Sequence, residues 1–133
     1  MKKGLEEKLI KKYNKLFFYE DSEFTLFRNK IECRDGWYNI IEKLCYDIQS
    51  YVDCNIDHSI LEQPKVVQIK EKFGGLRFYC HDCDQYIRGV ISLAESSSYK
   101  ICEVCGVDKE IGDKHYNYFN ADSRLCRDCV AKE

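Results

Sequence analysis

Residues 101–130 open with Ile101-Cys102-Glu103-Val104-Cys105-Gly106 and close with Leu125-Cys126-Arg127-Asp128-Cys129-Val130, so two Cys-x-x-Cys hooks stand twenty residues apart. Two residues between cysteines let both sulfurs of a tight turn point at one centre, and a second such turn supplies the other half of a tetrahedron. Gly106 can take a positive φ, which lets the backbone curl and aim its amides at the sulfurs. The spacing therefore predicts one structural zinc ion held by Cys102, Cys105, Cys126 and Cys129. The polar spacer between the hooks predicts a small zinc-ribbon-like lobe over residues 100–133. An α+β body is expected over residues 1–99.

Working outward, a third hook stands at Cys80-His81-Asp82-Cys83, eighteen residues before Cys102. Spacing alone does not say which two hooks share an ion. A helix is expected over residues 84–97, with Ile87, Val90, Ile91 and Ala94 as its apolar stripe and Asp82 or Asp84 as its cap. It would hold the first two hooks about 20 Å apart at 1.5 Å per residue. The second hook is therefore paired with the third. Cys80, Cys83 and His81 are left as half of a second metal centre, with His115, Cys33 or Cys54 as further ligands, or as a redox dithiol. The helix that follows would favour a low thiol pKa, but the βαβ context of a thiol oxidoreductase is missing. The expected cofactor is Zn2+, one ion, or two if this hook binds another.

Residues 65–80 alternate as a β-hairpin, with Gly74-Gly75 read as its two-residue turn. That register pairs Phe73 with Leu76 and puts Val67, Ile69, Phe73, Leu76 and Phe78 on the core face, with Glu71 stranded among them. The other face carries Gln68, Lys70, Lys72, Arg77, Tyr79 and His81. Guanidinium and ammonium groups beside a phenol can grip an oxyanion, so Lys70, Lys72, Arg77 and Tyr79 are the candidate anion-binding residues. An ordinary solvated sheet face is the competing explanation.

The rest of the chain builds the body. Trp37, Ile40, Ile41, Leu44, Cys45, Ile48 and Val52 follow helical spacing over residues 36–54, with Asp35 as the expected N-cap and Trp37 and Cys45 as core. Residues 5–18 repeat Leu5, Leu9, Tyr13, Leu16 and Phe17 at the same period, with a lysine-rich solvated face. Residues 23–27 read as a short strand or an apolar loop, and His115, Tyr116, Tyr118 and Phe119 suggest a strand inside the ribbon. The fold class expected is α+β: a small antiparallel sheet packed on two or three helices, with the zinc lobe at its C-terminal side.

Composition narrows the function. The chain has 133 residues, 44% of them hydrophobic, with one proline and seven glycines, as in an ordered globule. No apolar run approaches a membrane span, and Met1-Lys2-Lys3 leads into charged helix without the apolar segment of a signal peptide. A cytoplasmic protein is expected, in which nine cysteines are reduced and favour metal over disulfides. A net charge of -2 argues against bulk attraction to nucleic acid. Aromatics beside Lys114, Arg124 and Arg127 keep a nucleic-acid surface as the alternative, although Asp108, Glu110, Asp113, Asp122 and Asp128 dilute any field. Four thiolates leave zinc no position for water, and no His-Glu-x-x-His, Ser-His-Asp or phosphate-cradling loop is present. An enzyme, either a zinc hydrolase or a thiol oxidoreductase, ranks last, behind a binding module for a protein or a small anionic ligand.

The series Ile31-Glu32-Cys33-Arg34-Asp35-Gly36-Trp37-Tyr38, Lys70-Glu71-Lys72-Phe73-Gly74-Gly75-Leu76-Arg77-Phe78-Tyr79, Ala94-Glu95-Ser96, Cys102-Glu103-Val104-Cys105-Gly106 and Cys126-Arg127-Asp128-Cys129 resembles a family of small uncharacterised phage and prophage proteins. It spans residues 30–130. The resemblance implies a zinc-ribbon-like C-terminal lobe and a phage or mobile-element origin; the binding module is then expected to act as a host-takeover or counter-defence factor. The pair Cys80 and Cys83 departs from the family pattern.

Overall fold

The structure, a computed structural model, describes residues 1–18, 31–55, 62–109 and 125–132. The expectations for residues 23–27 and for the ribbon strand near His115 lie outside the described residues. The protein is α+β, built on one antiparallel hairpin, β1 (Lys65–Lys72) and β2 (Gly75–His81). Helix α1 (Lys3–Lys12) breaks at Tyr13 and resumes as α2 (Asn14–Phe17). A 3-10 turn, Asp35–Trp37, leads into α3 (Tyr38–Cys54), and α4 (Gln85–Ser98) follows the hairpin. A last turn, α5 (Arg127–Val130), carries Cys129.

The apolar periods fold as physics requires. Ile41, Leu44, Ile48 and Val52 line the inner stripe of α3 with Trp37 buried just before its start, and Leu9, Leu16 and Phe17 meet them from the N-terminal helices. Ile69, Leu76 and Phe78 supply the sheet's contribution and Ile87 that of α4. Tyr13 and Lys12 both donate at 2.6 Å to Glu42 Oε1, fastening the end of α1 to α3. Asp84 caps α4 by accepting from the Ile87 amide at 2.9 Å, while its other oxygen accepts from Tyr51 at 2.6 Å. Asp35, the expected cap of the central helix, caps nothing. It accepts from the Lys2 amide at 2.8 Å, and the helix starts through the 3-10 turn.

The hairpin register differs from the sequence reading by one residue at the turn. Lys72 pairs with Gly75, so the two loop residues are Phe73 (φ 53) and Gly74 (φ 81), and Glu71 lies opposite Leu76. Two consecutive positive φ angles make the tight turn that matches strand twist. Gly75 is needed for another reason: a β-carbon there would lie 2.6 Å from the Tyr99 hydroxyl oxygen. Phe73, expected in the core, is 84% exposed at the turn tip. A bulge between Val66 and Gln68 buries Val66 and leaves Val67, also expected in the core, half-buried. Glu71 is no stranded carboxylate, because it closes the turn by accepting from the Gly74 amide at 2.7 Å.

Both sheet edges are covered. The backbone of Glu32 bonds to β1 through the Ile69 carbonyl and the Glu71 amide, each at 2.9 Å. On the other edge, the amides of Leu76 and Phe78 donate to Ser98 Oγ and Glu95 Oε1 on α4. The hairpin is therefore held between a strand-like segment and a helix.

Candidate metal centre

The four sulfurs of Cys102, Cys105, Cys126 and Cys129 converge to within 4.8 Å of one another. Cys105 Sγ and Cys126 Sγ, one from each hook, are 3.6 Å apart. A tetrahedral zinc with sulfurs at about 2.3 Å has sulfur-to-sulfur edges of about 3.8 Å, so the donor set is of a size to hold one ion. Among the described residues no other group of three or more metal-ligating side chains comes together. The second and third hooks are thus the paired ones, as expected.

Local backbone explains why the first of these hooks is preformed. The chain reverses over Cys102 to Gly106, where the Gly106 amide bonds to the Cys102 carbonyl and the Cys102 amide to the Val107 carbonyl, each at 2.9 Å. Gly106 has φ 76, inside the region that favours glycine. This curl aims amide hydrogens at sulfur. Burial pushes the Cys102 thiol up, but the amides of Cys105, Cys126 and Val104 outweigh it and bring it down to about 7. At Cys105 the Val107 amide pulls down, while burial and the thiols of Cys102 and Cys126 push the net value up. Burial, then the three neighbouring thiols, pushes Cys129 to about 12. Four thiolates repel one another, and a divalent cation relieves that repulsion.

A cation stands close by. Lys109 is 2% exposed, and burial holds it below the usual lysine range while Cys102 and Cys126 pull it back up. A zinc held by four thiolates would carry two net negative charges, which Lys109 would partly balance.

The hook is welded to the body from below. The Gly36 amide donates to the Glu103 carbonyl at 2.7 Å, the Arg34 amide to Glu103 Oε1 at 3.0 Å, and Trp37 Nε1 to the Ile101 carbonyl at 2.9 Å. A β-carbon at Gly36 would lie 2.6 Å from the Glu103 carbonyl carbon and closer still to the Cys102 and Glu103 carbonyl oxygens. Only glycine lets the start of the central helix approach the knuckle this closely. Sequence reasoning missed Gly36, Glu103 and Lys109 as supports, because their partners are remote in the chain or hidden by ordinary composition. Leu125, 2% exposed, completes the small apolar cluster around Cys102 and Cys129.

The other predicted residues fall elsewhere. Lys70 pairs directly with Arg77 and Gln68 with Tyr79, so Lys70, Lys72, Arg77 and Tyr79 share one sheet face. Lys70 Nζ lies 5.8 Å above the Tyr79 ring. Arg77 donates to the Leu76 carbonyl at 2.8 Å and to the Tyr99 hydroxyl at 3.1 Å, an anchor the sequence did not reveal. Cys80 Sγ and Cys83 Sγ each lie 3.6 Å from the His81 carbonyl oxygen of their own turn, with no third ligand group formed around them among the described residues. His81 is exposed. Cys33 is buried and pushed up to about 12 mainly by that burial, whereas Cys54 is exposed.

No helix among the described residues is long and apolar enough to cross a membrane. No protein-family model, curated protein or solved structure matches this chain.

Proposed function

We propose that this chain is a zinc-stapled binding protein without a catalytic centre, whose hairpin face meets a small anionic ligand or a host protein. The observation that carries this reading is the convergence of four cysteine sulfurs, because four thiolates fill the coordination sphere of zinc and leave no site for substrate water. Bound there, the ion supplies folding energy and holds the two hooks together. Cys102, Cys105, Cys126 and Cys129 hold it, and Lys109 offsets its charge. The exposed Lys72 and Tyr79, beside Lys70 and Arg77, give the hairpin the donors and the stacking ring that an oxyanion-bearing partner requires. Resemblance to small phage proteins supports a cytoplasmic role in the host cell, as a takeover or counter-defence factor.

The test joins a metal count on purified protein to capture of partners from a host lysate by wild type and by the Lys70→Ala, Arg77→Ala double variant. One zinc per chain and a partner lost from the double variant are expected. Binding that survives the double variant would reduce the hairpin face to solvated surface. A steep fall of affinity with salt for nucleic acid would favour the nucleic-acid alternative instead.

A further inference from the structure

The metal centre leaves one sulfur pair unused. Cys80 stands near the end of β2, and Cys83 directly precedes Asp84, the cap of α4. The turn joining them passes through Asp82 at φ 59, a left-handed conformation uncommon for a residue with a side chain. Both sulfurs are turned onto one acceptor, the His81 carbonyl oxygen, each at 3.6 Å. Both are half-buried against the main core while His81 and Asp82 are exposed, so a small reagent reaches the turn from outside.

A carbonyl oxygen is the negative end of a peptide dipole. It accepts from S–H, sits comfortably beside a neutral disulfide and disfavours the two thiolates that a metal would require. We infer that Cys80 and Cys83 form a dithiol–disulfide exchange site that reacts with low-molecular-weight disulfides of the glutathione class.

The Cys83 thiolate attacks one sulfur of the small disulfide, forming a mixed disulfide and releasing one small thiolate. Cys80 gives up its proton to solvent and attacks Cys83 Sγ, which closes the Cys80–Cys83 bond and displaces the second small thiolate. The two cysteines lose two electrons and two protons, and the reagent leaves as two thiols. The order of attack follows the local chemistry. The neighbouring Cys80 thiol lowers Cys83 most and Arg88 lowers it further, against burial. Cys80 is raised by the neighbouring Cys83 thiol and then by burial.

Zinc-loaded full-length protein is incubated with oxidised glutathione, alkylated, digested and mapped by mass. The expected product is an internal disulfide confined to the peptide containing Cys80 and Cys83, reversed by reduced glutathione. Cys80→Ser is expected to accumulate a glutathione adduct at Cys83, formed on the order of tenfold faster than the Cys80 adduct of Cys83→Ser. A wild-type peptide that stays fully reduced, equal reaction at the two single cysteines, or a second zinc that shields both thiols would overturn the inference. Because this peptide is read on its own, a failure of the four-cysteine centre to hold zinc would not obscure the result.

Discussion

Two turns in this protein share the spacing Cys-x-x-Cys and differ in which end of the peptide dipole faces sulfur. At Cys102-Glu103-Val104-Cys105 the amides of Cys105, Val104 and Val107 point at the sulfurs. At Cys80-His81-Asp82-Cys83 the sulfurs meet a carbonyl, that of His81. The backbone differs accordingly. The first turn places its left-handed residue after the second cysteine, at Gly106, and the second places it between the cysteines, at Asp82. Amides stabilise thiolate and so favour metal, whereas a carbonyl favours the neutral thiol or disulfide. Spacing states that two sulfurs are near one another, and backbone direction decides what they do there.

The largest expected effect lies in the metal-binding turn. Cys102→Ser is expected to release the metal and remove most of a contribution on the order of 10 kcal/mol typical of structural zinc. Cys80→Ser is expected to keep the full metal content. Metal analysis with thermal unfolding on both variants checks this contrast, and equal metal loss from the two would erase the distinction between the turns.

Gly36→Ala probes the weld beneath the first turn. Its β-carbon meets the carbonyls of Cys102 and Glu103, and overpacking of this kind costs about 1–3 kcal/mol. Urea unfolding of the zinc-loaded protein reads that loss. An unchanged midpoint would mean that the knuckle is not braced by the central helix.

Asp84 sharpens the picture at the second turn. Burial raises its pKa, but the Ile87 amide, the Tyr51 hydroxyl and the Tyr86 amide outweigh it and set the carboxyl below its ordinary value. A depressed folded pKa contributes stability that is fully present above the unfolded pKa, near 4, and is lost as pH falls through the lower folded value. Asp84→Ala is expected to cost about 1 kcal/mol at neutral pH, as for other N-caps, with the difference from wild type shrinking in acid. Urea midpoints at pH 7 and pH 3 measure it.

The smallest effect on the fold is expected on the hairpin face that runs into Cys80. Lys70→Ala should shift stability by only about 0.5 kcal/mol while ligand or partner binding is weakened. Calorimetry and pull-down on the same preparation separate the two readouts.

The metal centre was legible in the sequence because each hook is a local pattern. Helices over residues 36–54 and 84–97 were equally readable, since Trp37, Ile41, Leu44 and Ile48, and Ile87 in α4, obey the helical period that burial imposes. What escaped was set by distant partners. Two adjacent glycines look like a turn, yet the turn falls on Phe73 and Gly74, and Gly75 instead makes room for the ring of Tyr99. Asp35 looks like a cap, yet Lys2 takes its carboxylate. Gly36 looks like part of a helix start, and its true role depends on carbonyls at Cys102 and Glu103. The chemical difference between the two hooks was equally invisible, because dipole direction depends on φ at Asp82 and Gly106, which composition does not display.

The account turns on a single closed sulfur tetrahedron, and X-ray absorption at the zinc edge of the purified protein tests it most directly. Four sulfur scatterers at about 2.3 Å with no nitrogen or oxygen neighbour are predicted. A fit that requires a light-atom ligand, or fewer than four sulfurs per zinc, would contradict it.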